Sequence, residues 1–220
     1  MNFPILSSII VLPLIGAIFI LLSSQKNENK SAIYISLFTS IANFLLVLFL
    51  WHSFDKSVNG FQFIEEKNWI SGFIKFKLGI DGISILFIVL TAFITPVSII
   101  SCINSIKNRL NEFLISILIL ETFIIGVFCS LDLIVFYLFF EAGLIPMFLI
   151  IGIWGGPRRI YSAYKFFLFT LLGSVLMLAA IIFIYWSVGT TDYTEIYKIK
   201  IAKEYQYVLW LAFFSSFAVK

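Results

Sequence analysis

Glu121, Glu141, Lys165 and Lys220 are ionisable residues set inside otherwise apolar runs. A charge near the middle of a bilayer is costly, so such residues face protein or water and mark ion pathways more often than packing. The two acids, if they face each other, suit a site that binds and releases protons. Two prolines add to the pattern. Pro146 displaces the helical hydrogen bond to the carbonyl of Ala142, beside Glu141, and Pro96 does the same to Ala92 in a run that also holds Thr91 and Thr95. Kinking alone is the plain reading of either proline, but a carbonyl freed in lipid needs water or a side-chain partner. Beside a buried acid, that favours a hydrated site.

The elements that must hold these residues follow from composition. Of 220 residues, 61% are hydrophobic and 12% charged, and the mean hydropathy is +1.05. A hydrocarbon core of roughly 30 Å needs about 20 apolar residues in a helix. Candidate spans run over 3–22, 31–51, 82–102, 113–130, 131–154, 161–187 and from 205 to the end. The expected fold is an all-α membrane bundle of about seven transmembrane helices, forming one domain over 1–220. The last span stops at Lys220 with no polar flank after it, so the sequence looks like the first part of a longer protein.

Short connections at 23–30, 103–112 and 155–160 share one face and carry Lys26, Lys30, Lys107, Arg109, Arg158 and Arg159. The longer connections opposite dilute their lysines among Asp55, Glu65, Glu66, Asp192, Glu195 and Glu204. By the positive-inside rule the first face is cytoplasmic or matrix, with the N-terminus outside. In the outer loop, Phe61, Phe63, Ile74, Phe76 and Leu78 alternate with polar residues about Ser71-Gly72, which predicts a short β-hairpin within 61–80. A similar alternation at 196–201 predicts an interfacial strand or surface helix. Both read as structural covers, and His52 as an interfacial histidine.

Depths follow from the helical rise. Glu121 and Glu141 flank Leu131 by ten residues on either side, which sets each roughly 15 Å from a tight turn near Leu131-Asp132. Spacing leaves open whether they face each other. Lys165 lies near enough to its span's start to snorkel to the surface. Lys220 has less chance of escape. Cys102 and Cys129 form neither a disulfide framework nor a metal motif and read as inert thiols. Gly152 and Gly156 have GxxxG spacing but adjoin Pro157, and Gly155-Gly156-Pro157 lacks the Walker lysine and serine of a phosphate loop. The sequence has no Cys or His cluster for haem, iron-sulfur or zinc, no Rossmann glycines and no basic patch for nucleic acid.

The runs Ser130-Leu131-Asp132-Leu133 and Phe139-Phe140-Glu141-Ala142-Gly143-Leu144-Ile145-Pro146-Met147 resemble the M chains of proton-pumping NADH:quinone oxidoreductase, the counterparts of complex I chain 4 in mitochondria. Residues 151–156, 159–163 and 165–170, Leu78 to Ser84 and the terminal Phe217-Ala218-Val219-Lys220 carry the same resemblance, which covers most of the chain from Leu78 onward. It implies an antiporter-like subunit of a redox-driven proton pump, without a redox centre of its own. NADH, FMN, iron-sulfur clusters and quinone are then expected in partner subunits. The expected partners are the other membrane subunits, especially the antiporter-like L and N chains, in a bacterial inner or mitochondrial inner membrane. By position in the motifs, the resemblance implies Glu141 as the coupling carboxylate, Lys220 as the proton-relay lysine, Lys165 as a modulating charge and Glu121 as an auxiliary acid. The resembled family has about twice as many spans. A homologous subunit of a multi-chain sodium/proton antiporter, or of a membrane-bound hydrogenase, is the alternative.

Overall fold

A computed structural model describes residues 4–23, 29–58, 60–70 and 74–220. The expected start of the first span at Phe3, Lys26 and the turn at Ser71-Gly72 lie outside these residues. The chain divides into two compact units, one of Met1–Glu65 with Leu78–Cys129, the other of Glu66–Lys77 with Ser130–Lys220.

The first unit holds α1 (Ile5–Ser23), α2 (Asn29–His52), α3 (Ser84–Cys102) and α4 (Leu110–Cys129). Their lengths of 19, 24, 19 and 20 residues give about 28–36 Å of helix, enough to cross a bilayer. α1 packs on α2 and α4, α2 on α3 and α4, and α3 on α4. Ala17, Ile20, Ala32, Ile99, Leu110, Leu114 and Leu118 form a shared apolar core. The exposed faces stay apolar, with Phe38 on α2 77% exposed. Gly16 brings α1 close to α2, because a Cβ there would lie 2.6 Å from Oγ1 and Cγ2 of Thr39. Small residues at membrane helix contacts serve this close approach.

The second unit holds α5 (Leu133–Ala142), α6 (Leu144–Trp154), α7 (Arg159–Val188), α8 (Tyr193–Ile196) and α9 (Lys203–Val219). The expected single span over 131–154 is split at Gly143. Pro146 has no N–H and crowds the carbonyl of Ala142. The break at Gly143 places the proline in the first turn of α6, where an N–H has no helical partner to lose. Together α5 and α6 still make one 22-residue span, one of six stretches long and apolar enough to cross a membrane among the described residues. α9, at 17 residues, stands where the seventh span was expected. α7 stops at Gly189, whose φ of 82° is left-handed and whose N–H bonds to the Tyr185 carbonyl at 2.7 Å. That ending favours glycine. At 196–201 there is neither a strand nor a long surface helix. α8 is a single turn, capped by Asp192 through the N–H of Thr194.

The expected hairpin is present as β1 (Gln62–Ile70) and β2 (Ile74–Ile80), paired in a two-stranded sheet. Trp69 and Phe76 meet edge to face across it, with centroids 6.4 Å apart.

Candidate functional site

Glu121 sits on α4, eight residues before its end at Cys129, about 12 Å along the helix. It is buried, and its Oε1 accepts a 2.8 Å hydrogen bond from Nδ2 of Asn43 on α2. Its other oxygen is buried with no partner among the described residues.

Glu141 and Lys220 belong to the second unit. Asp132 starts α5: its Oδ1 accepts from the N–H groups of Ile134 at 2.9 Å and Val135 at 3.2 Å, a side-chain N-cap. Glu141 is then the ninth of the ten residues of α5, next to its C-terminal end at Ala142. Its Oε2 is buried and unpartnered among the described residues. Lys220, at the end of α9, donates from Nζ to the carbonyl of Phe140, the residue before Glu141, and lies 3.2 Å from the centroid of the Phe140 ring. Phe136, Phe140 and Phe217 close around this seat, with ring centroids 5.6–6.2 Å apart. Glu141 and Lys220 are within electrostatic reach of each other but are not among the ion pairs within 4.0 Å found in the described residues.

The surroundings are polar in places the sequence reading passed over. Tyr137, one turn before Glu141, shares a hydrogen bond with Ser174 of α7. Ser216, one turn before Lys220, is buried with a hydroxyl that has no partner among the described residues. Helical spacing of four could have flagged both. α7 and α9 approach closely at Gly173, where an added Cβ would lie 3.1 Å from that of Val219.

Lys165 is not brought to this pair. It is exposed on α7, with Nζ 5.9 Å from the centroid of the Tyr161 ring. It lines an open groove of about 470 Å³ with Tyr161, Tyr164, Leu168, Phe169 and Leu172.

A second charged cluster was missed altogether. Lys77 of β2 donates from Nζ to Asp192 Oδ2 at 2.6 Å and to Thr194 Oγ1 at 2.8 Å. Thr191 donates from Oγ1 to Asp132 Oδ2 at 2.6 Å. Backbone bonds Leu133 N to Thr191 O and Tyr193 N to Leu131 O, both 2.9 Å, tie the start of α5 to the start of α8. Lys77, Asp132, Thr191 and Asp192 are all buried. Burial alone would raise the Asp192 carboxyl, but the bonds from Lys77 and Thr194 outweigh it and hold the group below the usual carboxylate range. Glu65 was likewise read as a diluted loop charge. It accepts from the N–H of Leu6 at 2.7 Å, from the N–H of Ser7 at 3.0 Å and from the Ser7 hydroxyl. A strand residue thus caps the first turn of α1 with negative charge.

Among the described residues, no three or more His, Cys, Asp or Glu side chains are grouped to hold a metal ion. Cys102 and Cys129 are free thiols, both buried.

Residues 130–220 match the family described as NADH:quinone oxidoreductase/Mrp antiporter, TM. The chain is 46% identical over 217 residues to NADH-ubiquinone oxidoreductase chain 4 of Marchantia polymorpha, covering 98% of this chain and 44% of that one. It is 46% identical over 232 residues to NADH-quinone oxidoreductase subunit M of Rhodobacter capsulatus, covering 98% and 45%. Among solved structures, a chain of respiratory complex I from Thermus thermophilus with bound NADH superposes with a TM-score of 0.83 at 28% identity, covering 97% of this chain and 43% of that one. A chain of the Mrp complex from a Dietzia species gives 0.78 at 14% identity over 98% and 23%, which shows the fold alone. The resemblance carried by the motifs is borne out, and the chain is a relative of the M and chain 4 subunits with the antiporter-like membrane fold. It spans less than half the length of the curated relatives it matches.

Proposed function

We propose that this relative of subunit M and chain 4 works as a multi-pass, proton-translocating membrane subunit of an NADH:quinone oxidoreductase, with Glu141 and Lys220 as the central pair of a proton half-channel. The observation that carries the reading is the seat of Lys220. Its ammonium rests on the carbonyl and ring of Phe140, one residue from a carboxylate whose buried Oε2 has no partner among the described residues.

The chemistry follows from that geometry. When lysine and carboxylate come together, each favours the charged form of the other; when they part, the proton on the lysine is free to pass to a hydrated neighbour. At an effective dielectric of about 20, closing a unit pair from about 8 Å to about 4 Å is worth roughly 2 kcal/mol. That is enough to bias a proton's position by more than tenfold. The lysine stem is flexible and its present contacts are a carbonyl and a π face, so a small shift of α9 against α5 exchanges one seat for the other. The helical bond that Pro146 cannot make to the carbonyl of Ala142, just past Glu141, gives α5 a place to bend.

In this scheme Glu121 is an auxiliary acid of the first unit, and Lys165 a modulating charge acting from the outward face of α7. The redox chemistry of NADH, FMN, iron-sulfur clusters and quinone takes place in partner subunits, and the membrane neighbours are the antiporter-like L and N chains. The N-terminus lies on the outer side, on the strength of the basic short loops. In the complete subunit, Glu141→Gln abolishes NADH-driven proton pumping while the complex still assembles. Normal pumping by an assembled Glu141→Gln complex overturns the assignment.

A further inference from the structure

We propose that Asn43 and Glu121 form a proton-holding acid–amide site, closed by one water between Glu121 Oε2 and Asn43 Oδ1 and reached along α2 past Ser40 and Ser36. The purpose of such a site rests on the proton-moving function above, but its existence and its test do not.

Asn43 Nδ2 donates to Glu121 Oε1 at 2.8 Å, and the two residues are 0% and 2% exposed. The oxygens left over, Asn43 Oδ1 and Glu121 Oε2, are both buried without partners among the described residues. As an amide oxygen and a carboxylate oxygen they are two acceptors with no donor between them, and buried acceptors left unmade are costly, most of all charged ones. A proton on Oε2 supplies one donor. A water that accepts from that O–H and donates to Asn43 Oδ1 then satisfies every atom of the pair. Proton count balances: the acid stays neutral, and a proton arriving through the water leaves the same way.

Among the described residues, the helices packed on α4 offer Glu121 no counter-charge. α4 packs against α1, α2 and α3. α1 carries no titratable side chain. α2 has Lys30 and His52 only at its ends, with Tyr34 turned outward at 71% exposure. α3 has only Cys102, at its last turn, donating to the Ile99 carbonyl. On α4, Glu112 is paired with Arg109 at the helix start, and Cys129 is two turns beyond Glu121 at its end.

The polar way in lies on α2. Ser36, Ser40 and Asn43 fall at i, i+4 and i+7, one helix face, and all three are 0% exposed. Each serine donates to its own backbone, Ser36 to the Ile33 carbonyl at 2.9 Å and Ser40 to that of Leu37 at 3.1 Å. Their oxygens remain free to accept. Steps of about 6 and 4.5 Å along the axis are longer than a hydrogen bond and suit one water each. On α4 the approach is apolar instead, since Leu114 and Leu118 in the two turns before Glu121 are fully buried.

The experiment is infrared spectroscopy of the complete complex, with the Glu121 carboxylic C=O band assigned as the one lost in Glu121→Gln. A protonated-acid band is expected at neutral pH, shifted in Asn43→Leu, and exchanging with D2O roughly tenfold more slowly in Ser40→Ala, as one relay step with about 1.4 kcal/mol of extra barrier would give. Asn43→Ser reads the same shift if the leucine variant fails to assemble. Loss of no band in Glu121→Gln, or a band that Asn43 variants leave unmoved, overturns the site. Unchanged exchange in Ser40→Ala overturns the route. The band survives in Glu141→Gln whether or not that variant pumps, which separates failure of this site from failure of the pumping function.

Discussion

Replacing Asp192 with Asn tests whether the buried Lys77–Asp192 pair holds the second unit together at the start of α5. The carboxylate accepts three strong bonds, from Lys77 Nζ at 2.6 Å, from the Thr194 N–H at 2.8 Å and from the Thr194 hydroxyl at 2.7 Å. An asparagine can keep the Thr194 bonds but turns an N–H₂ toward the ammonium, leaving Lys77, 8% exposed, without its counter-charge. Removing one partner of a buried pair costs about 3–5 kcal/mol. For a unit of about 100 residues that lowers the melting midpoint by roughly 14–23 °C. The assay is thermal unfolding of the purified complex, read by release of this subunit. Lys77→Met combined with Asp192→Asn should recover part of the loss, because no buried ammonium remains. The pH dependence has a fixed sign. The folded-state pKa of Asp192 is lowered, so its stabilisation is fully present above the unfolded value of about 4 and is lost as pH falls through the lower folded one. An unchanged midpoint in Asp192→Asn, or strictly additive losses in the double variant, would refute the reasoning.

Two further perturbations follow from contacts within the first unit. Glu65→Gln keeps the shape of the cap on α1 but removes its charge, and should cost about 1 kcal/mol, measurable as a lower denaturation midpoint with little change at Glu65→Asp only if the shorter acid still reaches Leu6 and Ser7. Gly16→Ala forces a Cβ against Thr39 and should destabilise by about 1–3 kcal/mol, with Thr39→Ala restoring most of it in the same assay.

Spans were legible because lipid demands length and hydropathy from each segment separately, and the hairpin because a half-buried strand pair alternates. Pro146 marked the break at Gly143 for a local reason, its missing N–H. Glu141 and Lys220 stood out as charges in apolar runs, a one-residue signal. What escaped depended on distant partners. Lys77 and Asp192 are 115 residues apart and looked like diluted loop charges, and nothing local to Glu65 marks it as the cap of a helix 58 residues away. Asn43 drew no reading, although its spacing from Ser36 and Ser40 was there to be read. Only the role of Lys165 came from the motif; the snorkelling read from its place near the start of its span agrees with its exposure on α7.

The most direct test of the Glu141–Lys220 switch is the separation of Lys220 Nζ from the Glu141 carboxylate in structures of the complete complex at rest and during NADH turnover. The expected result is a lysine on the Phe140 carbonyl in one state and within about 4 Å of the carboxylate, ion-pair distance, in the other. A lysine that keeps the same seat in both states while protons are pumped would contradict it.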